Sequence, residues 1–103
     1  MISKKSISVI TQINTLLEEN KAHACACGKE NFWERDKKWV ETAQSNIMKD
    51  DSSSLMKVLD EMRNLSQSFG AYLPDLNYLD KLLDDLFSSL REDVLRIRSG
   101  GDK

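Results

Sequence analysis

Apolar residues divide the chain into four amphipathic segments. In the first, about residues 3–26, Ile7, Ile10, Ile13, Leu17 and Ala24 fall on one face, with Val9 and Leu16 beside them. That spacing matches a helix with a single buried stripe. The β-branched run from Ile7 to Ile13 would also suit a strand, but the doublets Val9-Ile10 and Leu16-Leu17 break the alternation a strand requires. Gly28 suits the position just past a helix end, where a left-handed conformation closes the last turn. The second segment, 32–49, runs through Phe32, Asp36, Trp39 or Val40, Ala43 and Ile47, with Asn31 and Glu34 placed as a capping box. Trp39 reads as its core tryptophan. Trp33, off to one side, reads either as a boundary residue or as a contact for a partner.

The third segment, 53–69, carries Leu55, Val58, Leu59, Met62, Leu65 and Phe69, and Gly70 ends it. Asp50 to Ser54 link it to the second and offer several N-caps. The fourth segment, 75–98, is the most regular. Leu76, Leu79, Leu83, Leu86, Leu90 and Ile97 recur at helical spacing with Val94 beside them, while Leu82 and Phe87 widen the stripe. A stripe that wide predicts contact with more than one neighbour. Pro74 is tolerated in a first turn, Asp75 or Asn77 can cap the helix, and the tail 99–103 is expected to fray. Short connections favour antiparallel neighbours, so the sequence predicts one all-α domain, a four-helix antiparallel up-down bundle.

Composition sharpens this picture mainly by exclusion. One Pro and four Gly in 103 residues are too few for a turn-rich all-β design. A net charge of −2 lacks the basic excess of a nucleic-acid-binding domain. No apolar run approaches a membrane span, and the apolar residues after Lys4-Lys5 are interrupted by Thr11, Gln12 and Asn14, which is not a secretory leader. Cys25 and Cys27 are too close in sequence for an ordinary staple, which fits a reducing compartment. The expected location is the cytoplasm.

Candidate chemistry is sparse. His23, Cys25 and Cys27 are the only clustered soft ligands, and a zinc site needs three or four converging donors with wider cysteine spacing. On a helix His23 and Cys27 share a face and Cys25 points away. A thiol or metal enzyme built on these three is therefore the third-ranked reading, and the expectation is no catalytic residue, no metal and no cofactor. Asp80, Asp84 and Asp85 near one end of the last helix, and Arg91, Arg96 and Arg98 near the other, follow the helix macrodipole. The functional reading of the same stretch is an acidic docking face made by Tyr72, Asp75, Tyr78, Asp80, Asp84 and Asp85. Tyrosine gives large contact area with a polar tip, and an acidic rim speeds encounter with a basic partner.

From Trp39 onward the layout resembles a family of small, largely uncharacterised bacterial helical proteins. The residues that carry the resemblance are Trp39, the Ile47 to Asp50 end, Leu55 to Leu59, Ser68-Phe69-Gly70, and Leu79-Asp80 followed by Leu82-Leu83. Members typically carry a Gly-Met-Gly-Ser-Phe-Asn-Asp turn, where this chain has Ser-Phe-Gly-Ala-Tyr-Leu-Pro-Asp. Some members look like immunity proteins, so the resemblance implies a role in neutralising a partner toxin. The leading expectation is a non-enzymatic bacterial protein that binds another protein. A homo-oligomeric structural or regulatory bundle, such as a homodimer using the spare apolar width of the last helix, is the alternative.

Overall fold

A computed structural model describes residues 2–62 and 69–101, and these residues form helices without a strand. Five helices follow in order: α1 (Lys4–Glu19), α2 (Lys21–Ala26), α3 (Glu30–Met48), α4 (Ser52–Glu61) and α5 (Leu76–Gly101). Residues 63–68 of the third predicted helix, including Leu65, and residues 102–103 of the tail lie outside the described residues.

The first predicted helix is two helices, divided at Asn20. Its side-chain amide donates to Leu16 O at 2.8 Å, and its own N–H turns back to Leu17 O at 3.1 Å. An Asn that offers the backbone a local alternative breaks the ladder in this way. Gly28 then closes α2 with φ +72°, as its position predicts. Lys29 N–H reaches Ala24 O at 2.8 Å, and the chain passes straight into α3. The expected capping box at Asn31 is therefore not made, because α3 has already begun at Glu30 with no side-chain cap. The starts of α4 and α5 follow their sequence signals, and Ser3 caps α1. Ser3 accepts from Ser6 N–H, Asp51 from Ser54 N–H, and Asp75 from Tyr78 N–H. Such caps are each worth about 1 kcal/mol. At the far end α5 continues to Gly101, past the expected stop at 98. Gly100 and Gly101 weaken a helix by about 1 kcal/mol each without blocking its hydrogen bonds.

The buried stripe of α3 follows the expected line through Asp36, Val40, Ala43 and Ile47, but it begins at Trp33 instead of Phe32. Trp33, not Trp39, is the core tryptophan. Its indole N–H donates to Leu17 O at 2.7 Å, a carbonyl freed where α1 stops, and Lys21 lies 5.1 Å from the ring centroid. Phe32 is instead on the surface between Lys29 and Arg35.

α1 packs on α3 and α5, and α4 packs on the same two. Ile10, Ile13, Leu17, Val40, Ile47, Leu55, Val58, Phe69, Leu79, Leu86 and Leu90 fill the space between them. The broad stripe of α5 has the expected cause. Ser89 and Asp93 on one flank touch α1, while Phe87, Arg91 and Val94 on the other border α4.

Candidate functional site

Two buried polar clusters hold the carboxylates and hydroxyls that chemistry could use. Asp36 is 1% exposed and accepts a hydrogen bond from the Tyr72 hydroxyl at 2.7 Å through Oδ2, while Oδ1 has no partner among the described residues. Burial raises the Asp36 carboxyl to about 6, against the lowering pull of the Tyr72 hydroxyl and the Arg35 charge. Burial and the facing carboxylate push the Tyr72 hydroxyl up in turn. The second cluster joins the start of α1 to α5. Asp93 Oδ2 accepts from Ser6 Oγ at 2.6 Å and from Ser3 Oγ and N–H, Ser89 Oγ lies 2.6 Å from Ser6 Oγ, and Arg96 donates to Oδ1. A carboxylate at a helix N-terminus satisfies free N–H groups and opposes the positive end of the dipole. Both clusters are buried, and each ties one element to another: Tyr72 to α3, and the start of α1 to α5.

His23, Cys25 and Cys27 are all exposed. As the helical reading predicts, Cys27 Sγ lies 3.5 Å from His23 Nε2, whereas Cys25 turns away and donates to Glu30 Oε2 at 3.2 Å. That carboxylate holds the thiol proton and raises its pKa, the opposite of nucleophile activation. Among the described residues no group of three His, Cys, Asp or Glu side chains is placed to hold a metal ion. No helix among them is long and apolar enough to cross a membrane.

The acidic docking face is not one surface. Tyr72 leaves it altogether: it is 3% exposed, turned inward by the helical turn from Phe69 to Leu73, where its hydroxyl serves the desolvated Asp36. Asp75 is exposed but spends one oxygen on the cap of α5. Tyr78 and Asp85, seven residues apart, lie on the α1 flank of α5. Asp80 and Asp84 lie on the α4 flank, in line with Phe87, Arg91 and Arg98 at helical spacing.

That second line borders a groove between α4 and α5. Leu59 and Val94 form its floor, and Met56, Phe87 and Leu95 form its apolar walls. Leu95 is 63% exposed and lies with the exposed Met56 along one groove. Arg91 and Arg98 lie toward one end, with the Arg91 guanidinium 5.8 Å from the Phe87 centroid. Asp84 lies toward the other, where Met62, Leu83, Asp84 and Phe87 surround a hollow of about 120 Å³, and Asp60 lines the middle of the groove with Phe87 and Arg91. The opposite groove, between α3 and α4, is polar throughout, lined by Lys38, Glu41, Lys49 and Lys57 among others.

Sequence reasoning finds Asp80, Asp84 and the widening Phe87, and it misses Met56 and Leu95. The available signal is positional. Leu95 falls on the polar side of the α5 wheel, and Met56 on the polar side of α4, where the core has no use for them. Comparison with family models, with curated proteins and with solved structures gave no match.

Proposed function

We propose that the chain is a cytoplasmic, non-enzymatic protein-binding domain, a four-helix antiparallel up-down bundle that docks its partner in the α4–α5 groove. The bundle reading is supported by where chain ends meet. Ser3 at the start of α1 reaches Asp93 late in α5, and Trp33 at the start of α3 reaches Leu17 at the end of α1. α2 then serves as a short appendage to the α1–α3 connection.

The observation that carries the binding role is the exposed Leu95 beside Met56 and Phe87, an apolar strip with acid at one end and base at the other. Interfaces are built this way, with an apolar centre and a charged rim. In the form the resemblance implies, the partner is a toxin whose basic surface meets Asp80 and Asp84.

Affinity capture from a native extract tests the reading, with the wild-type chain and a Met56→Asp/Leu95→Asp variant as baits. The wild type should retain a stoichiometric protein, either another chain or its own, and the variant should lose it. Equal recovery by both baits, or none by either, contradicts the reading.

A further inference from the structure

Along the α4 flank of α5 the order of features is Asp80, Asp84, Phe87, Arg91, Leu95, Arg98. The order is acid to base, with apolar residues between, and that pattern is complementary to itself reversed. We infer that the occupant of the α4–α5 groove is a second copy of this chain, docked antiparallel about a twofold axis that passes α5 near Ser89. The inference rests on the reading of this groove as a protein-binding surface.

Helix arithmetic fixes the register. In an antiparallel pair of α5 helices, facing positions have residue numbers with a constant sum. Asp80 opposite Arg98 sets that sum, and the same sum puts Phe87 opposite Arg91, repeating between copies the ring–guanidinium contact seen within one. It also brings Asp84 within one turn of the facing Arg91. One register therefore pairs the charges and stacks the guanidinium. Asp80 and Arg98 cannot pair within a single chain, because they are about 27 Å apart along the helix at 1.5 Å per residue.

The C2 arrangement needs one patch only, since each copy supplies both halves of every contact. Its charged pairs lie at the rim, so the dimer is salt-sensitive.

Sedimentation equilibrium over a hundredfold concentration range at low salt tests this, with circular dichroism confirming that each variant is folded. The wild type should approach the dimer mass at high concentration. Arg98→Glu, which sets two acids against each other at both ends, should weaken dimerisation about tenfold or more. Asp80→Arg combined with Arg98→Glu should restore it to within about threefold, since the swapped charges again face opposites. A wild-type monomer throughout, or a dimer that the double variant fails to restore, overturns the inference. If the wild type is monomeric and the Met56→Asp/Leu95→Asp bait still loses a foreign protein, the groove binds a different occupant and only self-docking fails. If a dimer forms that neither Leu95→Asp nor Arg98→Glu weakens, the groove reading fails with it.

Discussion

Replacing Asp36 with Asn should stabilise the protein at neutral pH, although Asp36 sits at the centre of a buried hydrogen bond. Folding moves this carboxyl from 3.8 to about 6, chiefly by desolvation. The folded state therefore holds the proton more tightly than the unfolded chain, so this group's contribution is most favourable below about pH 4 and becomes a penalty as pH rises through 6. The full penalty is about 3 kcal/mol above pH 7. Asn has the same shape, accepts the Tyr72 hydroxyl in the same place, and has no charge to desolvate. Its amide nitrogen takes the position of the unpartnered Oδ1, which discounts the gain to about 1–3 kcal/mol at about pH 7.5. For a chain of this length that is a rise in Tm of about 5–15 °C. At about pH 4 the advantage should shrink below about 1 kcal/mol.

Urea denaturation followed by far-UV circular dichroism between about pH 4 and 8 measures both profiles. Glu18, held below the ordinary carboxylate range by Lys37, and Asp51, lowered by the Ser54 N–H, act with the opposite sign. Their stabilisation is lost as pH falls below about 4.5, and it is common to both proteins. The difference between the profiles isolates Asp36. A variant less stable than wild type at about pH 7.5, or an offset that does not change with pH, would refute the reasoning.

Trp33→Phe should cost about 1–3 kcal/mol in chemical denaturation, since it removes the donor that serves Leu17 O and leaves a void beside it. Asp93→Ala should cost about 3 kcal/mol or more, because Ser3, Ser6 and Arg96 lose a shared acceptor, and Asp93→Asn should recover part of that. Gly28→Ala should cost about 1–2 kcal/mol through its backbone alone, because an added Cβ meets nothing within 4 Å while φ is +72°. A loss well above that range would show that the α2–α3 turn is more tightly packed than this geometry allows.

The all-helical fold is legible because the chain states it redundantly. The α5 stripe, the caps at Asp51 and Asp75, and Gly28 each depend on local chemistry that the sequence exposes. Sequence and structure part where a neighbour decides. Trp33 rather than Phe32 heads the α3 stripe, where its indole meets Leu17 O, and no pattern within α3 announces that carbonyl. Asn20 is one polar residue among several in the sequence, yet its amide ends α1. The docking face divides for a related reason. Proximity to Asp75 and Tyr78 in sequence places Tyr72 with them, whereas a buried carboxylate 36 residues away requires its hydroxyl. Helix rotation separates Asp80 and Asp84 from Tyr78 and Asp85, and that separation is encoded in the sequence, on the wheel of α5.

The groove and its self-complementary order are tested most directly by mixing two variants, Asp80→Arg and Arg98→Glu, each of which places like charges across the proposed twofold contact. Sedimentation equilibrium on each alone and on the equimolar mixture reads the outcome. Each variant alone should dimerise about tenfold or more weakly than the wild type. The mixture should recover dimer, because in the mixed pair the arginine introduced in one chain faces the glutamate introduced in the other, and the native Arg98 faces the native Asp80. A mixture no more associated than its separate components would contradict the account.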